Sequence, residues 1–373
     1  MQYMYLASFG EIASYVGYIL LAILILLVMI TVHELGHYLA GKIFKFGIEE
    51  FAIGFGPKLI SKKKKNGELI SLRAIPLGGF CSFKGEDEDD PDPSAFNNKK
   101  PWQRIIVLIS GALMNYVTAV LVIILMFSVY GGNAILVKDI AIDQSIPSEY
   151  CFESKDVILK ANGKNVYMLT DLMSAIEGQE AGELVDFTVI RNGKIEDVKI
   201  KLRTNTKFKN LEDGERLYTA LGVYYEKWVD GAPVNGGIYT TGVRYGFFDT
   251  IGRSFEYSFK AAGTIFTVFR QLFSGAIGLS SMGGTVTTIT TTAEAISTGG
   301  MWYLLNITAF IGVNLAVFNL LPIPALDGSR VVFTAIEGVR RKPLPRRVEG
   351  IIHGVGFVLI LLFAIVVDLQ RCF

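Results

Sequence analysis

Histidine and cysteine are both scarce in this chain of 373 residues, with three of each. Cys81, Cys151 and Cys372 lie far apart. They form neither a CxxC pair nor a disulfide framework, and a cysteine-built zinc site is excluded by count. Charge is scarce as well: 19% of residues are charged against 51% hydrophobic, the formal net charge is +1, and the mean hydropathy is +0.40. That balance excludes a disordered chain and argues against an ordinary soluble enzyme. No global positive charge and no cluster of basic and aromatic residues is present, so a nucleic-acid partner is excluded. The histidines are His33, His37 and His353, and two of them stand four residues apart.

Long apolar runs are abundant. A membrane-spanning helix needs roughly 20 mostly apolar residues, and four stretches qualify: Ile12 to Val32, Ile105 to Tyr130, Trp302 to Leu321 and Gly350 to Val367. The first lacks the basic start and small-residue cleavage site of a signal peptide, so it reads as a retained helix. A fifth uncharged stretch, Gln271 to Ala293, is rich in Gly, Ser and Thr. Lipid-exposed helices are not built that way, and a re-entrant or surface segment is expected there.

Orientation follows from the basic residues. The segment before Ile12 has no Lys or Arg, whereas Gly41 to Arg104 holds twelve, including Lys62 to Lys65. The connection between the third and fourth stretches adds Arg330, Arg340, Arg341, Lys342, Arg346 and Arg347. Both belong in the cytoplasm by the positive-inside rule, leaving the two termini and the large region from Gly131 to Gly300 outside.

Two inserts look folded. Between Ala134 and Thr206, Asn162-Gly163 and Asn192-Gly193 are tight-turn signals. Val185, Phe187 and Val189 alternate before the second turn, and Val198, Ile200 and Leu202 after it. Thr170 is placed to cap a short helix that Gly178 stops, so a small α+β or partly open barrel module is expected. It holds no histidine. In the cytoplasmic loop, Asn66-Gly67 marks the tip of a hairpin, with Lys62 to Lys65 as a solvated turn attracted to anionic lipid. The acidic Glu86 to Asp92 reads as a solvated linker.

The chemistry resides in His33-Glu34-Leu35-Gly36-His37, an HExxH sequence. Residues four apart on a helix lie one above the other, so both imidazoles can meet one metal ion. Glu34 projects about 100° around the helix, where it reaches a water at the metal rather than the metal. The motif continues directly from an apolar run, and ionisable groups at membrane depth are costly and usually functional. Catalytic zinc ordinarily keeps three protein ligands. His353 is one candidate for the third, although a histidine placed there more often supports a ligand or sits at the membrane interface. Asp327 is the better one, because Pro322 and Pro324 break the helix before it and let a carboxylate turn inward.

With HELGH on the first span, NLLPIPALDG near the C-terminus (Asn319 to Gly328) and a small exterior module between them, the chain resembles the site-2 protease family. These are intramembrane zinc metalloproteases, and the similarity is greatest to the bacterial regulator-of-sigma-E protease type. The resemblance covers essentially the whole chain. It implies an α-helical polytopic protein of the bacterial cytoplasmic (inner) membrane with about four transmembrane helices. It also implies a membrane-associated β-hairpin over Phe46 to Gly85 and an inserted extracytoplasmic PDZ domain over Ala134 to Thr206. Zn2+ would be held by His33, His37 and Asp327, with Glu34 as catalytic base and Asn314 and Asn319 lining the substrate site. Ser110 to Asn115 matches a family segment opening the second span. Ser329 departs from a usual glycine and Thr285 from a usual proline, which leaves the local loop geometry open. Substrates would be single-pass membrane proteins, namely trimmed anti-sigma factors or remnant signal peptides.

The corresponding division is 1–45 (first span with HExxH), 46–100 (β-loop and linker), 101–133 (second span), 134–206 (PDZ-like), 207–300 (linker with amphipathic or re-entrant segments) and 301–373 (third and fourth spans). Two other readings compete. A metal transporter would need further polar residues to line a path across the bilayer, and a silent scaffold would be expected to carry an altered HExxH.

Overall fold

A computed structural model describes residues 9–86, 88, 90–138, 140, 145–208, 214–223, 226–229, 232–235, 237–278, 283–342 and 345–372. Among the described residues, four helices are long and apolar enough to cross a membrane: Ala13–Ile43, Pro101–Tyr130, Gly299–Leu320 and Arg347–Leu369. They coincide with the four stretches read from the sequence and make the chain a multi-pass membrane protein with β elements. The chain divides into two compact bodies, residues 1–123 with 278–373, and residues 124–277.

The first body begins with α1 (Phe9–Ile43). Next come β1 (Ile48–Lys63) and β2 (Leu69–Phe83), and the start of α2 (Pro101–Tyr130). The two strands form the expected hairpin with Asn66-Gly67 at its tip, but the pairing is richer than a simple hairpin. Residues 48–53 of β1 pair with both 69–72 and 79–83 of β2, while 58–63 pairs with 69–73. The result is four strand segments in the order 58–63, 69–73, 48–53, 79–83, with 79–83 at one edge. Gly54 (φ +84°) and Gly78 (φ +127°) supply the bends, in a backbone region that side chains disfavour. An apolar cluster of Phe46, Ile48, Phe83, Phe96, Val107 and Leu108 holds the hairpin base against α2.

Lys64 is not the solvated lysine expected: it donates to Glu68 (3.1 Å) and to Tyr38 Oη (2.8 Å). Glu68 is buried and also accepts from Lys42 and Asn66, so the hairpin tip is tied to the end of α1. The acidic loop is likewise no free linker. Glu86 pairs with Arg330, and Asp92 accepts from Ser94 and Lys84; Asp87 and Asp89 lie outside the described residues.

The rest of this body is α6 (Thr285–Leu320), α7 (Asp327–Arg340) and α8 (Arg346–Cys372). Within the uncharged stretch Gln271 to Ala293, expected to be a re-entrant or surface segment, residues 279–282 lie outside the described residues. From Thr285 the chain is helical and continues, through a kink at Gly300 (φ 62°, ψ −150°), into the third span. Its hydroxyls suit a helix because Thr288, Thr290 and Thr291 each bond a carbonyl three or four residues back. Asp368 of α8 accepts from the backbone N–H groups of Val286 and Thr287, capping that helix start. Ile25 and Met29 of α1 pack against Ile296 and Ile311 of α6.

The second body is an α+β unit. Besides the end of α2 it contains β3 (Gly132–Val137), β4 (Val157–Ala161), β5 (Lys164–Asn165), α3 (Leu169–Ile176), β6 (Leu184–Arg191), β7 (Lys194–Lys201), α4 (Gly214–Leu221), β8 (Glu226–Val229), β9 (Ala232–Asn235), β10 (Ile238–Val243) and α5 (Phe247–Phe273). The main sheet runs β10-β3-β4-β6-β7, with β5 on β4. The alternating Val185, Phe187 and Val189, together with Ile200 and Leu202, fill its core beside Leu172 and Ile176 of α3. Asp171, not Thr170, caps α3 by accepting from the N–H groups of Tyr167 and Met168. The sheet also extends past Thr206: β10 pairs with β3 from Ile238↔Val137 to Val243↔Gly132. On α5, Phe248, Phe255, Phe259, Phe266 and Phe273 are exposed and fall on one face at 100° per residue.

Candidate metal centre

Two close approaches build the centre. Gly36 on α1 meets α2 so closely that a Cβ there would lie 2.3 Å from the Ser110 carbonyl oxygen. A Cβ on Gly111 would lie 2.4 Å from His37 Nε2 and 2.8 Å from His33 Cε1. Both glycines are required by space, and together they let α2 press against the helix face that carries the two imidazoles.

His33 and His37 are buried, with their Nε2 atoms 3.1 Å apart. His37 Nδ1 lies 2.8 Å from the Val107 carbonyl oxygen. A carbonyl only accepts, so the proton sits on Nδ1 and the Nε2 lone pair faces its neighbour. The Asn319 side-chain amide lies 3.4 Å from His33 Nδ1 and can fix that ring in the same sense when its oxygen faces the nitrogen.

Asp327 arrives from the broken helix. α6 ends at Leu320, and α7 begins at Asp327 itself. Gly328 makes the reversal fit, because a Cβ there would lie 2.3 Å from the carbonyl oxygens of both Leu320 and Leu321. Ser329, at the usual glycine position, is buried and closes the first turn by donating to the Leu326 carbonyl (2.8 Å). Asp327 Oδ2 thereby reaches 3.0 Å from His33 Nε2 and 3.2 Å from His37 Nε2.

His33, His37 and Asp327 are a group of side chains able to hold a metal ion. Their facing atoms form a triangle with edges of 3.0–3.2 Å. Tetrahedral zinc at 2.0–2.1 Å from each ligand requires edges of about 3.4 Å, so the triangle is nearly of the right size. Asp327 Oδ2 is buried and makes no hydrogen bond among the described residues, as suits an oxygen facing a cation. The residues fit zinc.

His353 is elsewhere. Its Nδ1 accepts from the Ala325 N–H (3.0 Å), two residues before Asp327, where Ala325 adopts a left-handed φ of 75°. A Cβ on Gly356, one turn along α8, would lie 2.3 Å from Pro324 Cβ. Thus α8 supports the turn that carries Asp327 without adding a ligand.

A cavity of about 290 Å³ opens on the group, lined by Ile30, His33, Glu34, Asn115, Leu315, Asn319 and Ala325 to Asp327. A Cβ on Gly79 would be 3.5 Å from Glu34 Cγ. The edge segment 79–83 of the hairpin therefore runs beside this carboxylate. Burial, reinforced by the charge of Glu34, pushes the Cys81 thiol up, which keeps it protonated and unsuited to act as a nucleophile. Asn314 is not in the cavity wall: five residues from Asn319, it points about 140° away around α6. Gly111, the Val107 carbonyl and Asn115 carry no chemical signal of these places in the sequence. Gly111 and Asn115 lie in the segment Ser110 to Asn115 that matches the family, and Val107 lies just before it.

The comparisons with known proteins agree with this geometry. The model of peptidase family M50 matches residues 21–363. A Clostridium perfringens protein provisionally named a zinc metalloprotease is 32% identical over 359 residues, covering 95% of this chain and 98% of its own length. A similarly named protein of Fusobacterium nucleatum is 30% identical over 94% of this chain and 97% of its own length. The zinc metalloprotease RasP of Oceanobacillus iheyensis is 26% identical, over 93% and 97%. The chain belongs to peptidase family M50, the site-2 protease family, and is a membrane-embedded, zinc-dependent metalloprotease.

Proposed function

We propose that this protease cleaves single-pass membrane proteins within the bilayer, near the cytoplasmic side, with His33, His37 and Asp327 as zinc ligands and Glu34 as general base. The observation that carries the reading is the convergence of these four side chains at one cavity among helices long enough to span a membrane.

Zinc, when bound, supplies Lewis-acid polarisation of a peptide carbonyl and makes water a stronger acid. Glu34 takes a proton from the attacking water and delivers it to the leaving amide nitrogen. The Val107 carbonyl holds the His37 ring in its ligating tautomer. Asn319 orients His33 and offers its amide to the substrate.

A transmembrane helix hides its peptide bonds, so cleavage requires unwinding. The released backbone groups need replacement partners, and strand addition to the 79–83 edge, beside Glu34, supplies them. The clients would be anti-sigma factor remnants or remnant signal peptides in the bacterial inner membrane, with the basic loops inside and both termini outside. The α+β body would act as a PDZ-like gate that delays substrates with bulky exterior domains.

The test is Glu34→Gln. Cleavage of a single-pass reporter should fall on the order of a hundredfold or more, while the purified variant retains its zinc. Loss of zinc would make Glu34 a ligand and break the assignment.

A further inference from the structure

We infer that Asn115 is a substrate-binding residue that pairs with the backbone of one extended, unwound substrate residue. The inference rests on the protease reading above. Asn115 is fully buried midway along the 30-residue α2. Both its amide oxygen and its amide nitrogen are shielded from solvent and make no hydrogen bond among the described residues. It stands one turn beyond Gly111, which contacts both imidazoles, and so lies on the same face of α2. It shares the cavity wall with Glu34, Asn319 and Asp327.

An amide with two unmet polar atoms destabilises a membrane helix, where a leucine or alanine would be neutral or better. Its presence at the cavity wall calls for a ligand that supplies a donor and an acceptor together. An extended peptide residue does so, since its own N–H and C=O point to the same side of the chain. A helical residue does not, because its N–H and C=O point opposite ways along the helix and are already bonded. Asn115 thus favours the unwound form of a substrate over the helical one. This contact is separate from metal binding and from the proton transfer of Glu34.

The experiment uses full-length, zinc-loaded protein in detergent, with Asn115→Leu and Asn115→Ala. Two probes are titrated as inhibitors of reporter cleavage and as ligands in thermal shift. One is a leucine-rich tripeptidyl hydroxamate, and the other is acetohydroxamate, which meets the metal but has no peptide backbone. The inference predicts an upward shift of the melting temperature in at least one variant, because an unmet polar group is removed. It also predicts binding of the peptidyl probe weakened about tenfold or more in both variants, a factor equal to 1.4 kcal/mol, with acetohydroxamate unchanged. Weakening of both probes by the same factor, with a lower melting temperature and lost zinc, would make Asn115 a structural residue and overturn the inference. Unchanged peptidyl binding would overturn it too. A wild type that is inert to both probes would instead contradict the protease reading beneath it.

Discussion

A methyl group added at Gly111 would sit 2.4 Å from His37 Nε2, so Gly111→Ala must move an imidazole or part α1 from α2. Zinc affinity, measured by chelator competition, should fall on the order of tenfold or more, although no ligand is removed. The turn before Asp327 makes a matching case. His353 accepts from Ala325 N–H, so His353→Leu should weaken zinc binding by a similar factor, and His353→Asn, which restores an acceptor near Nδ1, should recover most of it. Equal affinity in both variants would show that the hydrogen bond does not position Asp327. At this scale HExxH and Asp327 were legible in the sequence, because helical periodicity and a double proline act locally. A supporting place for His353 was legible too, but its partner Ala325 was not, and neither was the role of Gly111, because both arise from contacts between distant parts of the chain. The His37 bond to Val107 spans 70 residues and the Ala325 bond to His353 spans 28.

The hairpin is the element whose position matters most, since its edge runs past Glu34. Its tip is tied to α1 through Glu68. Burial alone would raise the Glu68 carboxyl, but hydrogen bonds from Lys42, Tyr38, Asn66 and Lys64 outweigh it and hold the group at about 2, below its ordinary 4.5. A depressed carboxylate stabilises the fold fully above its ordinary value, and that contribution is lost as pH falls toward the depressed one. Protection of the Lys64 and Gly67 amides, corrected for intrinsic exchange, should therefore decline between about pH 4.5 and about pH 2. Glu68→Gln should lower it at neutral pH by about 1–2 kcal/mol and remove that pH dependence. Protection unaltered by the substitution would mean that the tie carries no weight. The two strands were legible from the Asn66-Gly67 turn and the flanking apolar runs. The folding of each strand back into two segments was not, because it depends on which bend lies opposite which strand. The helical start of α6 was hidden for another reason: hydroxyl-rich composition argued against a lipid-facing helix, and back-bonding to carbonyls overrode that argument.

For the whole molecule, the four spans were plain from hydropathy alone, and the α+β body was legible up to Thr206, where the turn signals stop. Its last strand, β10, was missed because it pairs with β3 across more than a hundred residues of chain. That pairing sets the cut for a deletion test. Gly132 and Val243 are cross-strand partners, so replacing the segment between them with a short flexible linker keeps its ends in register. If the body gates access, the deleted protein should keep its zinc and cleave a short-ectodomain substrate, and the ratio of long- to short-substrate cleavage should rise. An unchanged ratio in a zinc-loaded protein would assign the body to docking or assembly. Convergence of His33, His37 and Asp327 on one zinc ion is tested by the zinc content of purified Asp327→Asn beside the wild type after the same chelator wash. The wild type should keep one zinc per chain and the variant should lose most of it, because a neutral amide is a poorer zinc ligand than a carboxylate; a variant that keeps a full equivalent would remove Asp327 from the ligand set.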